Sequence, residues 1–229
     1  MSAREGSEMN PQFDIRTLNR RKGIGWRCYA TSAATETEIA DLLMAFAQRI
    51  GTPLPGRNGK LIEPITPQNE QSAEARSLSA IHGLGEMPLH MDSGHRLKPA
   101  RLLLIGCVAP GRSRAQTRLV DTRRLIFTPK EMELLSSAPF LIRTGRRSFY
   151  STILDRSRPF MRYDPGCMEP IEGRGEEAVN VMQRALAQTS TQLHDWFQGE
   201  ILMIDNWRML HGRTPAAADG RLLLRVGVQ

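Results

Sequence analysis

Apolar residues recur at helical spacing over 37–50, where Ile39, Leu42, Leu43, Phe46 and Ile50 form one stripe, with threonines placed to cap its start and Gly51 to end it. The pattern predicts one amphipathic helix. The stretch 52–59 holds two prolines and two glycines and reads as a loop. Beyond it the periodicity shortens into β-like runs at 61–65, 101–108, 118–120, 140–144, 148–154 and 201–204, with a last strand over 221–228. Two helices interrupt them. Thr128 followed by Pro129 supplies a cap and a first-turn proline, and Val179, Met182, Leu186, Leu193 and Phe197 place a stripe over 176–197. Many short strands split by turn residues argue for a sandwich or barrel. No linker separates two cores, so the expectation is a single α+β domain over 13–229 behind a partly disordered leader at 1–12.

Composition narrows the classes. With 40% hydrophobic and 24% charged residues among 229, and no run near the roughly 20 apolar residues of a membrane span, the chain reads as soluble. Cys28, Cys107 and Cys167 are odd in number and widely spaced, which suggests neither a disulfide framework nor a CxxC metal site and points to a reducing, cytoplasmic setting. The net charge of +7 permits a nucleic-acid partner through counterion release. The basic residues are scattered, however, as Arg20, Arg21 and Lys22, then Arg123 and Arg124, then Arg146 and Arg147, none interleaved with aromatics on a recognisable module. A solvated surface that favours acidic small molecules is the simpler reading. The expected partner is a small-molecule substrate, with neither membrane nor nucleic acid, and self-association is left open.

Candidate chemistry begins at Leu89-His90-Met91-Asp92. In a strand the side-chain period is two, so His90 and Asp92 would share a face and could bind one metal. A third ligand is offered by His211, which follows an apolar strand and a polar turn in Asp205-Asn206-Trp207-Arg208-Met209-Leu210-His211. Two histidines and a carboxylate form the facial set that suits non-haem Fe(II) and leaves positions open. Each residue alone also fits a plainer role as a hydrogen-bonded surface or core group. The Asp92-Ser93-Gly94-His95 spacing admits a zinc reading, but Gly94 breaks the helix that a zinc hydrolase motif needs. His82, His95 and His194 are read as surface or packing residues. Ten positions after His211 lies Arg221, and Arg225 follows it on the same strand face; an arginine beside a metal-bound keto acid can pair bidentately with a carboxylate.

With these pieces in order, the chain resembles the taurine dioxygenase and clavaminate synthase-like (TauD/TfdA-like) group of Fe(II)/2-oxoglutarate-dependent oxygenases. The resemblance runs from about residue 84 onward and is carried by Pro88-Leu89-His90-Met91-Asp92 and by the segment from Gly199 to Thr214. It implies a double-stranded β-helix (jelly-roll, cupin-like) core with flanking helices, and His90, Asp92 and His211 as iron ligands and catalytic centre. It implies Arg221 and Thr117 as partners of the distal carboxylate of 2-oxoglutarate, with Arg225 near its C1 carboxylate. The implied reaction is hydroxylation of an unactivated C–H bond with O2 and 2-oxoglutarate, releasing succinate and CO2. Asp92 argues against halogenation, since the halogenating relatives carry a small residue there. For the substrate, Tyr150, Arg162 and Tyr163 fall where the family builds part of its pocket, Arg143 or Arg162 is a candidate carboxylate binder and Tyr150 or Tyr163 a candidate wall, and a free amino acid or amino-acid-derived metabolite is favoured. A nucleoside or nucleic-acid oxygenase with the same iron chemistry, and a non-catalytic or zinc-binding β-barrel, are the alternatives.

Overall fold

The computed structural model describes residues 24–56, 59–74, 77–144 and 147–229. The expected leader at 1–12, the basic run Arg20-Arg21-Lys22 and Arg146 lie outside the described residues. Every strand pairing among the described residues is antiparallel.

The larger sheet contains β1 (Trp26–Ala30), β2 (Pro53–Leu54), β3 (Glu63–Ile65), β5 (Leu102–Ala109), β11 (Glu200–Asp205) and β13 (Leu222–Val228), in the order β1-β11-β5-β13-β2 with β3 also on β13. The smaller one runs β10-β6-β12-β4, from β4 (Met87–His90), β6 (Thr117–Asp121), β10 (Gln192–His194) and β12 (Met209–Arg213). A third joins β8 (Phe149–Ser151), β7 (Phe140–Ile142) and β9 (Met168–Pro170).

Side-chain alternation divides the apolar residues among three cores. Leu104, Met203, Leu224 and Val226 face away from the smaller sheet and bury the stripe Ile39, Leu43 and Phe46 of α1 (Glu36–Ile50). This helix has the capping box its sequence offers: Thr35 accepts from the Glu38 amide, and the Glu38 carboxylate accepts from the Thr35 amide. It lies so close to β5 that a Cβ on Gly106 would stand 2.5 Å from the Ile39 side chain, so only glycine fits there. Leu103, Ile105, Leu202, Ile204 and Leu223 point the other way and meet Leu119 and Met209 of the smaller sheet, which therefore faces the larger across a shared core. The outer face of the smaller sheet, through Leu89, Val120 and Leu210, is covered by the third sheet, α3 (Pro129–Ser137) and α4 (Glu172–Ala187). A short α2 (Leu78–His82) precedes β4.

Two expectations need correction. The stripe at 176–197 is not one helix. α4 spans Glu172–Ala187, the Thr189 hydroxyl turns back to the Ala185 carbonyl, and the chain re-enters the smaller sheet as β10, leaving Leu193 and Phe197 exposed. Thr189-Ser190-Thr191 favours such local side-chain to backbone bonds over continued helix. The loop at 52–59 contains β2, because the C-terminal end of β13 supplies a strand edge for Pro53 and Leu54. No described helix is long and apolar enough to cross a membrane, and the three cysteines are free thiols.

Candidate metal centre

His90 and His211 come together through sheet register. They are Cα partners across β4 and β12, and cross-strand partners present their side chains to the same face. That face is the inner one, because Leu89 and Leu210 beside them belong to the outer core. The imidazole centroids stand 4.6 Å apart. Gly212 makes the approach feasible: a Cβ there would lie 2.6 Å from the Met87 carbonyl oxygen of β4.

Asp92 reaches the same place by a different route from the expected one. β4 ends at His90, Met91 donates its amide to the Tyr163 carbonyl at 2.8 Å, and Asp92 sits in a turn with Ser93 at φ 59°. Period-two alternation therefore does not position this carboxylate. Asn206 does. Its Oδ1 accepts from the Asp92 amide at 2.8 Å, and its Nδ2 donates to the carbonyls of Asp92 at 3.0 Å and Ala100 at 2.7 Å. Fully buried in the β11–β12 turn, Asn206 ties the two candidate ligand segments together; it stands in the motif that carries His211, yet sequence reasoning gave it no role. Asn206→Ala leaves the buried Ala100 carbonyl and two partly buried Asp92 backbone groups without this partner, at about 1–3 kcal/mol for the buried group and less for the others. Thermal denaturation should show a drop of several degrees, and the displaced carboxylate should weaken Fe(II) binding by roughly 10- to 100-fold.

The electrostatics suit a cation. Burial alone would raise the Asp92 pKa, but Arg225 at 2.8 Å, His211, His90 and the Ser93 amide hold it at about 2. Burial, with His90 close by, lowers His211 to about 3, against the pull of Asp92. His211 is thus neutral at ordinary pH, and its buried Nδ1 has no hydrogen-bond partner among the described residues. His90 Nδ1 lies 2.9 Å from the Pro88 carbonyl, which only accepts, so Nδ1 carries the proton and Nε2 keeps the lone pair a metal needs. Two imidazoles and a carboxylate around an orphaned buried nitrogen fit a divalent iron. The trio is nonetheless looser than another group: among the described residues it is Cys28, His194 and Glu200 whose ligand atoms all lie within 4.8 Å of one another, while Asp92 is drawn to Arg225.

A pH dependence follows. Below its ordinary pKa of 6.5 His211 takes up a proton in the unfolded chain but not in the folded one until about pH 3. Its stabilising contribution is complete above that upper value and falls by up to about 1.4 kcal/mol per pH unit on acidification. The urea midpoint of metal-free protein should decline from pH 7 to 5, and His211→Gln should flatten that slope.

The other candidates are distributed unequally. Thr117, buried on β6, accepts from Trp196 Nε1 at 2.9 Å. Arg221 is buried, and its guanidinium donates to the Ala115 carbonyl, two residues before Thr117. Arg225 bridges Asp92 and Glu63, the latter at 2.7 Å; Glu63 was not anticipated, because nothing local marks it. Arg162 is not beside the histidines. It is buried at 1% exposure between the rings of Phe149 and Phe160, and donates to the carbonyls of Gly94, Arg96 and Leu97, which orders the segment after Asp92. Tyr150 is 70% exposed on β8, Arg143 pairs with Glu169 on the surface, and Tyr163 packs in the outer core. His194, of the two roles open to it, is a packing residue, buried and edge-on to Trp196 at 4.7 Å.

Residues 126–226 match the family model described as taurine catabolism dioxygenase TauD, TfdA family. Among curated proteins, L-asparagine oxygenase of Streptomyces coelicolor is 25% identical over 193 residues, covering 76% of this chain and 56% of its own length. Enduracididine beta-hydroxylase of Streptomyces hygroscopicus is 36% identical over 84 residues, covering 32% of this chain and 23% of its own length. The chain thus spans little more than half of the first relative. Among solved structures, asparagine oxygenase in complex with Fe(II), 2S,3S-3-hydroxyasparagine and succinate superposes with a TM-score of 0.71 at 21% identity, over 89% of this chain and 74% of that one. The non-heme iron oxygenase OrfP in complex with Fe and alpha-ketoglutaric acid gives 0.71 at 19% identity, over 93% and 77%.

Proposed function

We propose, from the match of residues 126–226 to the taurine catabolism dioxygenase family model and the fold likeness to asparagine oxygenase, that this chain is a TauD/TfdA-like, single-domain, double-stranded β-helix Fe(II)/2-oxoglutarate-dependent hydroxylase of a free amino acid or an amino-acid-derived metabolite. The observation that carries this reading is the pairing of His90 with His211 across β4 and β12, with the Asp92 carboxylate close enough to feel both rings and ion-paired to Arg225 of the facing sheet.

His90, Asp92 and His211 hold the iron, which when bound supplies the redox and O2 chemistry. The Pro88 carbonyl fixes the His90 tautomer, and Asn206 keeps the Asp92 backbone against the His211 segment. Arg221 receives the distal carboxylate of 2-oxoglutarate, with Thr117 beside it, held by Trp196. Arg225 stands next to Asp92, where the C1 carboxylate of 2-oxoglutarate belongs. The relatives bear on the substrate class, since asparagine oxygenase is crystallised with a hydroxylated asparagine and OrfP with (3S)-hydroxy-L-Arg. The balance is one C–H bond, one O2 and one 2-oxoglutarate converted to one C–OH, succinate and CO2.

The test is a screen of free amino acids, asparagine and arginine among them, for stimulated succinate formation from 2-oxoglutarate by the iron-loaded protein, with mass spectrometry of the amino acid for one added oxygen. Stimulation by nucleosides or oligonucleotides instead would move the substrate class, and no 2-oxoglutarate turnover with any of them would overturn the reading.

A further inference from the structure

On the far side of the β6 wall lies a second group of metal-binding side chains that the proposed hydroxylase chemistry does not use. Cys28 comes from β1 and Glu200 from β11, both in the larger sheet, whereas His194 comes from β10 in the smaller. Their side chains converge so that Sγ, Nε2 and a carboxylate oxygen all lie within 4.8 Å of one another. The His194 Nε2 to Glu200 Oε2 distance is 3.5 Å and the Cys28 Sγ to His194 Nε2 distance is 4.0 Å.

These separations are long for hydrogen bonds between such groups. They are close to what a shared cation would impose. Zinc bonds of about 2.0–2.3 Å at the tetrahedral angle put ligand atoms about 3.3–3.6 Å apart, so the two separations at His194 lie within about half an ångström of a zinc site. The group is also held in place. Glu200 Oε2 accepts from the Phe197 amide at 3.0 Å, and the His194 ring is packed against Trp26 and Trp196, at 5.8 and 4.7 Å between centroids.

We propose that Cys28, His194 and Glu200 form a structural site for a thiophilic divalent cation of the zinc class, which cross-links the two facing sheets and leaves its fourth position to water. Charge favours this occupant. A thiolate, a carboxylate and a neutral imidazole cancel a divalent charge, so the loaded site is neutral where burial penalises net charge. A cysteine binds such a cation as the thiolate, so loading releases one proton from sulfur. Asp195 strengthens the negative field at His194 and Arg221 weakens it. The site is independent of the His90–Asp92–His211 centre, since it shares no residue with it.

The probe is Co(II), added anaerobically to metal-free, reduced protein as a spectroscopic substitute for zinc. A thiolate-to-cobalt charge-transfer band is expected, and the proposed iron centre, having no sulfur, cannot produce it. The band should persist in His211→Ala, disappear on adding Zn(II), and be lost in Cys28→Ser and His194→Ala with Co(II) affinity at that site at least about tenfold weaker. Zinc should also raise the thermal midpoint of the His211→Ala protein by about 5 °C or more, a readout that does not require the Cys28 or His194 variants to fold. The proposal is overturned if the native protein gives no charge-transfer band, if the band survives Cys28→Ser because Cys107 or Cys167 is its source, or if zinc leaves the His211→Ala midpoint unchanged.

Discussion

His211→Ala, and equally His90→Ala, should lose measurable Fe(II) binding and reduce 2-oxoglutarate-dependent succinate formation to background. The expected loss is large because each side chain is one of only three protein ligands in the proposed centre, and even residues that merely support a ligand cost roughly 10- to 100-fold when removed. His211 is the more severe case, because its imidazole is buried beside His90 and within the field of Asp92. Fe(II) binding is measured by anaerobic titration calorimetry and turnover by succinate release. His82→Ala and His95→Ala should stay within a few-fold of the native protein. Full turnover in either the His90 or the His211 variant would remove that residue from the centre.

Arg221→Ala should raise the half-saturating concentration of 2-oxoglutarate by roughly 30- to 1000-fold, corresponding to about 2–4 kcal/mol for a charge-assisted pair. Three arginines stand close enough in the sequence to compete for this role, and the structure distinguishes them. Arg213 donates to the carbonyls of Gly83 and Gly85, and Arg225 is held by Asp92 and Glu63. The Arg221 guanidinium, 4% exposed, donates among the described residues to the Ala115 carbonyl alone. Burial, with Arg213 adding to it, lowers its pKa to about 10, so it remains a desolvated cation at neutral pH and gains from an anionic partner. Arg221→Lys should recover only part of the affinity, because an ammonium lacks the planar fork. The measurement is the 2-oxoglutarate dependence of succinate formation. An unchanged half-saturation in Arg221→Ala with a large rise in Arg213→Ala or Arg225→Ala would move the anchor.

What could be read along the chain was whatever depends on neighbours in sequence. The α1 stripe and its Thr35–Glu38 cap, the proline-started α3 and the apolar run of β11 are settled by periodicity and capping within a few residues. His90, Asp92 and His211 were legible as a donor set because the residue types themselves carry the chemistry. Their meeting was not. It depends on the antiparallel register of β4 with β12, a pairing across more than a hundred residues that no local pattern encodes. The same separation hid Asn206, whose amide bridges to Asp92, and Glu63, whose carboxylate sits opposite Arg225. Arg162 shows the converse limit. Its sequence position suggested a substrate contact, but burial without an acidic partner is costly, and folding resolved this by giving its guanidinium three backbone carbonyls. The helix expected over 176–197 failed for a related reason: the stripe continues past Ala187, but an open edge of β6 offers 192–194 a full set of backbone hydrogen bonds, and that tertiary offer outweighs helical propensity. Sequence alone therefore determined which chemical groups this protein possesses and which short segments form its helices and strands, since both depend on local bonding. Only the tertiary structure decided which of those groups share a site, because strand register and burial are set by contacts between segments far apart in the chain.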